Sequence, residues 1–271
     1  MRSTTPIALT IAGSDSGGGA GIQADLKTFS ALGVYGASAI TAVTAQNTRG
    51  VTAVEDLSPA MVEAQIDAVL SDMAVGAIKV GMVSRAQTAR AVAGALRRHG
   101  RRVVLDPVMV ATSGDRLLRA DAVAALVFEL LPLADLATPN LPEAAILSES
   151  PVAGDETAMI AQGRRILGLG ARAVLMKGGH GSGPDSTDLL VTAETVDRFP
   201  APRLALSNDH GTGCTLSAAV AAGLAKGLPL REAVGEAKLY LGAALAAGEH
   251  LRIGGGRGPV HHFHRWWGGE A

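Results

Sequence analysis

The chain has 271 residues, 48% apolar and 3% aromatic with 34 glycines, a composition that suits a closely packed α/β sheet and not a disordered or coiled-coil chain. Its 24 Lys and Arg against 25 Asp and Glu leave a formal charge of −1, with no basic face to neutralise a phosphate backbone, so nucleic acid is not an expected partner. The single cysteine, Cys214, cannot form an internal disulfide, the start lacks a signal-peptide layout, and no apolar stretch approaches the ~20 residues of a membrane helix, so a soluble protein of the reducing cytoplasm is expected.

In chain order, β-rich runs recur at 7–12, 37–44, 77–80, 103–106, 136–138 and 174–177, each of strand length and apolar on both faces. Helical spacings lie between them: Ile22, Leu26 and Phe29, then Val62, Ile66 and Val69, then Val92 and Leu96. The alternation predicts an α/β fold, a mostly parallel sheet with helices on both faces, in which ligands bind beyond the carboxyl ends of the strands. Residues 178–202 break the rhythm, and 188–191 and 196–199 read as antiparallel edge strands. Neither a linker nor an internal repeat divides the sequence, so 1–271 is expected to form a single domain.

After the first predicted strand stands Gly13-Ser14-Asp15-Ser16-Gly17-Gly18-Gly19-Ala20-Gly21. Its glycines let the backbone take φ > 0 and approach a ligand closely, and there are more of them than a strand-to-helix turn requires. Gly19-x-Gly21-x-x-Ala24 imitates a dinucleotide fingerprint, but no acidic residue ends the second strand to hold a ribose hydroxyl. P-loop and protein-kinase signatures are absent, and the aspartate at the centre of Gly13-Ser14-Asp15-Ser16-Gly17 excludes a nucleophile elbow.

Further on, Asn208-Asp209-His210-Gly211-Thr212-Gly213-Cys214-Thr215 precedes an apolar helical run at 216–224. Gly211 and Gly213 free the backbone, and successive N–H groups at a helix start, aided by the macrodipole, favour a negative group such as a transferring phosphoryl. The same residues also fit a Gly-rich helix cap with a buried structural cysteine.

Gly211-Thr212-Gly213-Cys214, with the loop that runs through Gly21-Ile22-Gln23-Ala24-Asp25-Leu26-Lys27, resembles the hydroxymethylpyrimidine/phosphomethylpyrimidine kinases of thiamine biosynthesis. The likeness covers nearly the whole chain. It takes in Thr44-Ala45-Gln46-Asn47-Thr48, Lys79-Val80-Gly81-Met82, Asp106-Pro107-Val108-Met109, Thr138-Pro139-Asn140-Leu141-Pro142-Glu143-Ala144 and Met176-Lys177-Gly178-Gly179-His180. The resemblance implies a ribokinase-like three-layer sandwich, a homodimer, and two successive phosphoryl transfers from ATP with Mg²⁺ to a small-molecule pyrimidine alcohol and its monophosphate.

The resemblance also implies site residues. Cys214 stands where most ribokinase relatives carry the aspartate base, and a helix N-terminus can lower a thiol from ~8.5 into the ~3.5–7.5 range. Asp106 and Glu143 would serve the metal and its water shell, although Asn140-Leu141-Pro142-Glu143 equally reads as an N-cap with a capping-box partner. Asn140, Lys177 and Lys238 would face the nucleotide phosphates. Gln46 would pair with the aminopyrimidine edge, since an amide offers a donor beside an acceptor. Ala20, Met82 and Val108 would form apolar walls, with Asp25 near the loop.

One position departs from the family pattern: Asp209 stands where threonine is usual, so its carboxylate should repel phosphate unless a cation screens it. The tail Gly258-Pro259-Val260-His261-His262-Phe263-His264-Arg265-Trp266-Trp267 reads as an aromatic seal or a subunit contact in preference to a metal site. A pyridoxal kinase and a catalytically silent pyrimidine-binding module are the competing readings.

Overall fold

The computed structural model describes residues 5–109, 120–180, 185–204 and 208–267. In chain order it forms β1 (Ile7–Ala12), α1 (Gly21–Ala31), β2 (Tyr35–Ile40), β3 (Ala42–Asn47), β4 (Gly50–Asp56), α2 (Pro59–Asp72), β5 (Ala77–Val80), α3 (Ala86–His99) and β6 (Arg102–Leu105). There follow α4 (Ala120–Ala125), β7 (Leu136–Ala137), α5 (Leu141–Leu147), α6 (Glu156–Gly168), β8 (Val174–Met176), β9 (Asp188–Val191), β10 (Val196–Phe199), α7 (Thr212–Ala225) and α8 (Leu230–Gly248).

The strands line up as β10-β9-β8-β7-β6-β5-β1-β2. Pairing is parallel from β2 through β8 and antiparallel from β8 to β10, as the edge-strand reading of 188–199 required. Both faces of the sheet are buried, which explains why the strands read as continuous apolar runs. Leu9, Ile11, Ile78, Val80 and Val103 point to one face and pack with Val62, Ile66, Val92 and Leu96 of α2 and α3. Ala8, Ala77, Val104 and Leu136 point to the other and pack with Phe29 of α1, Leu216 and Val220 of α7, and Tyr240 of α8.

The run read as one strand at 37–44 is two. Thr41 breaks it: its N–H donates to the Ala12 carbonyl (2.9 Å) and its Oγ1 to the Met82 carbonyl (2.8 Å), which turns the chain out of the main sheet. β3 then pairs with β4 in a separate antiparallel hairpin whose register shifts at Ala45/Gln46. β4 escaped the sequence reading because its residues are exposed or half-buried, with no apolar face to set a period.

Chain order reverses at β1, which has β2 on one side and β5 on the other. Such a reversal opens a crevice beyond the strands' carboxyl ends. Gly13 follows β1, Met82 follows β5, Asp106 follows β6 and Lys177 follows β8, so strand topology alone brings these four together.

Candidate active site

The crevice encloses a cavity of about 730 Å³. Of the residues singled out in the sequence, Ala20, Gln46, Met82, Val108, Asp106, Asn140, Glu143, Lys177, Lys238 and Gly211 to Cys214 line it, and Asp25 does not. Asp25 and Lys79 are fully buried, with Lys79 Nζ 2.8 Å from Asp25 Oδ2, and Thr10 Oγ1 donates to the same oxygen at 2.6 Å. Asp25 is therefore a counter-ion, and it is Lys79 that reaches the cavity wall. Burial pulls the Lys79 ammonium down, but Asp25, helped by Cys214 and Asp106, holds it well above the usual lysine range. The sequence signal for this pair was a lysine inside the apolar strand β5, which must find a partner when buried.

The glycine-rich loop folds around its own aspartate. Asp15 accepts from the N–H groups of Gly17 (2.8 Å), Gly19 (3.0 Å) and Ala20 (2.8 Å), and from His210 Nε2 (2.9 Å). Burial opposes the Asp15 charge, but the bonds from His210 and these amides hold the carboxyl below its usual range. The loop expected to approach a ligand thus spends the N–H groups of Gly17, Gly19 and Ala20 on an internal anion, and it meets the cavity as a wall that includes Ala20. Lys27 Nζ donates to the Gly18 carbonyl (2.7 Å) and ties the loop to α1.

The start of α7 is the opposite case. Its N-cap is Gly211, at φ +80°, and no side chain caps the helix. A Cβ on Gly211 would run into the carbonyl oxygen of Gly19, so only glycine lets the two loops touch. Added at Gly213, a Cβ would lie 3.3 Å from Lys177 Nζ and 3.7 Å from Asp106 Oδ2, so the helix start lies directly against this charged pair. Cys214 follows on the first turn, half-buried, with the Gly21 N–H beside it. Contrary to the lowered value expected of a helix N-terminus, burial pushes its thiol up to about 11 in spite of the Lys79 charge.

Lys177 Nζ lies 2.9 Å from Asp106 Oδ1 and 3.9 Å from Glu143 Oε2. Burial works against all three charges. Lys177 and Lys79 nevertheless hold Asp106 low, whereas Glu143, beside both Lys177 and Asp106, is pushed up to about 7. Asn140 and Glu143 do form the capping box: Asn140 Oδ1 accepts from Glu143 N–H (2.9 Å) and Glu143 Oε2 from Asn140 N–H (2.8 Å). That cap fixes the Glu143 carboxyl at the cavity wall, so the helix-start and ligand readings describe the same side chain.

Two further charged groups of the site are paired. Lys238 Nζ, at the cavity wall, is held by Asp188 Oδ2 (2.7 Å) and the Ser186 carbonyl (2.9 Å) and braces β9, much as Lys177 is held by Asp106. Asp209 is screened: Arg257 Nε donates to Asp209 Oδ1 at 2.8 Å and its guanidinium pairs with Oδ2 as well. The arginine arrives from a tail segment that crosses the β3–β4 hairpin, where Arg257 N–H meets the Thr48 carbonyl (3.0 Å). Beyond it His262 is buried against Thr215 Oγ1 (3.1 Å), while Trp266 and Trp267 are exposed, so only part of the tail seals the core.

A doubly wound sheet with a hairpin over its crevice, a helix start without a capping side chain and a lysine set between two carboxylates is the arrangement of a ribokinase-like kinase. Solved structures share this fold. The Bacillus subtilis pyridoxal kinase in an ADP complex matches with a TM-score of 0.90 at 35% identity, over 98% of this chain and 100% of that one. A Staphylococcus aureus pyridoxal kinase in complex with AMP-PCP and pyridoxal matches at 0.89 and 33%, over 98% and 96%. In sequence, the family described as phosphomethylpyrimidine kinase matches residues 15–261. The hydroxymethylpyrimidine/phosphomethylpyrimidine kinase of Rhizobium meliloti (strain 1021) is 67% identical over 263 residues, 97% of this chain and 99% of that protein. Its Escherichia coli (strain K12) namesake is 54% identical over 261 residues, 96% and 98%. The chain belongs to the phosphomethylpyrimidine kinase family, as its motifs implied.

Proposed function

We propose that this kinase uses ATP and Mg²⁺ to phosphorylate 4-amino-5-hydroxymethyl-2-methylpyrimidine on its hydroxymethyl group, and then phosphorylates the resulting monophosphate, in thiamine biosynthesis. The observation that carries the reading is the uncapped start of α7, with Cys214 on its first turn and Lys177 beside it, in one cavity with Gln46. Family membership supports the acceptor, and the S. aureus relative's complex with AMP-PCP supports the nucleotide. We place the enzyme in the cytoplasm, as one domain per chain and, on the family resemblance, as a homodimer. No helix among the described residues is long and apolar enough to cross a membrane.

The residues fit Mg²⁺. Asp106 and Glu143 are buried carboxylates with Lys177 between them, and burial, helped by the neighbouring Asp106, pushes the Glu143 carboxyl up, so a divalent cation there would stabilise its charged form. Much of their hydrogen-bonding capacity is already used by Lys177, Thr138 and the Asn140 amide, so they would hold the ion through its water ligands. When bound, the ion neutralises charge on the phosphate oxygens during transfer.

The chain's own groups do the rest. N–H groups at the head of α7 and the Lys177 ammonium receive the anion, and Gln46 orients the ring. Cys214 takes the hydroxyl proton as a thiolate. Because the thiol is raised to about 11, that form is scarce at pH 7, and kcat should climb by up to tenfold per pH unit above 8. Cys214→Ala should lower kcat by roughly 10²–10⁴-fold and flatten that profile. An intact turnover number in the variant would leave Cys214 with a packing role only.

Mg²⁺-dependent ADP release, with the pyrimidine alcohol, its monophosphate and pyridoxal offered separately, tests the assignment. Turnover of both pyrimidines supports it. Activity with pyridoxal alone would move the enzyme to vitamin B6, the alternative that the pyridoxal kinase neighbours keep open, and silence with all three would leave a binding module.

A further inference from the structure

Gln46 does not choose its own orientation. Its backbone is fixed from both sides by Ser16 Oγ, which accepts from Gln46 N–H (2.8 Å) and donates to its carbonyl (2.7 Å). The two ends of its side-chain amide lie 3.4 Å from His210 Nε2 and 3.2 Å from Thr44 Oγ1. The question is which end holds the oxygen, and the neighbours' protons decide it.

His210 Nε2 also lies 2.9 Å from Asp15 Oδ2. That carboxylate is ionised and already accepts three loop amides, so a bare imidazole nitrogen would set lone pair against lone pair. Nε2 therefore carries a proton and donates. Thr44 Oγ1 has one proton, and the Ser14 carbonyl at 2.8 Å takes it, which leaves the hydroxyl an acceptor toward Gln46. With the amide nitrogen toward His210, N–H would face N–H at one end, and the oxygen would face a hydroxyl with no proton to give at the other. Half a turn of the amide plane removes both conflicts at the same positions.

We infer that His210, held by Asp15, is a specificity-setting positioning residue: it turns the Gln46 amide so that its oxygen faces the imidazole and its nitrogen faces Thr44. The remaining N–H and lone pair of Gln46 then have a fixed order along the cavity wall. An acceptor ring whose edge carries the matching order is bound, and one with the reverse order is not. His210 is suited to this because it is nearly buried and its backbone is pinned to the tail, with its N–H on the Gly258 carbonyl (3.0 Å). The inference rests on the reading of Gln46 as the ring contact.

The test is a double-mutant cycle in the full-length enzyme, with His210→Ala and Gln46→Ala alone and combined, and with KM for the pyrimidine alcohol and for ATP measured in each. Each single change is expected to raise the pyrimidine KM about tenfold or more, the double change no further than Gln46→Ala alone, and the KM for ATP to hold throughout. His210→Gln, which keeps an N–H close to the Nε2 position, should restore most of the affinity, and His210→Asn should not. If His210→Ala costs the same factor in both backgrounds, it acts only by holding the loop, and the inference falls. If Gln46→Ala leaves the pyrimidine KM unchanged, the ring-contact reading fails first. Two-bond ¹H–¹⁵N correlations of the native protein give an independent readout: Nε2 protonated is expected, and an unprotonated Nε2 would overturn the inference without reference to Gln46.

Discussion

The glycine-rich loop and the start of α7 touch at Gly19 and Gly211, and they solve the problem of backbone N–H groups in opposite ways. The loop satisfies its amides with Asp15, an anion of its own, and is complete without a ligand. The helix start has no capping side chain, and the carboxylates beside it outnumber the lysine between them. On the proposed function this division is apt: a wall that recognises a ring gains from being finished in advance, whereas a site for a transferring anion must leave donors and charge for its ligand to satisfy.

The largest effect should come from the pair beneath both regions. Lys79→Met leaves Asp25 buried without its counter-ion, and urea unfolding should show a loss of about 3–5 kcal/mol. A loss under 1 kcal/mol would mean that Asp25 takes up a proton at little cost. Next is the contact itself: Gly211→Ala forces a side chain into a left-handed residue against the Gly19 carbonyl, and should cost about 1–3 kcal/mol together with most of the activity. Full activity in that variant would show that the loop can recede from α7 without harm.

The burial of Glu143 gives the third prediction. With its carboxyl pushed up to about 7, it must lose a proton below that pH before it can serve a cation, and the Mg²⁺ requirement should ease by up to tenfold from pH 6 to 7 and level off above. The folded state keeps this proton where the unfolded chain has already released it. Glu143 therefore makes stability fall as pH rises from the usual carboxylate range to about 7. Glu143→Gln should abolish both trends, and their persistence would assign them to another group. The smallest effect belongs to Asp209. Because Arg257 screens it, Asp209→Thr should change the KM for ATP by less than about fivefold, while Arg257→Ala, which bares the carboxylate, should raise it more.

By itself the sequence determined the layers, since strands buried on both faces must be apolar throughout and helices between them must show a 3.6-residue period. It also determined the family, through motifs that sit at strand ends and helix starts, where backbone requirements restrict the residue type. Only the tertiary structure decided how the charged groups pair. Asp25 with Lys79, Asp209 with Arg257, Lys238 with Asp188 and Asp15 with His210 join residues 48 to 195 positions apart, and no local pattern announces such partners. The thiol of Cys214 shows why this matters: the helix start beside it was legible in the sequence and argues for a lowered value, whereas burial, which raises it, follows from how α7 packs against the loop and the sheet.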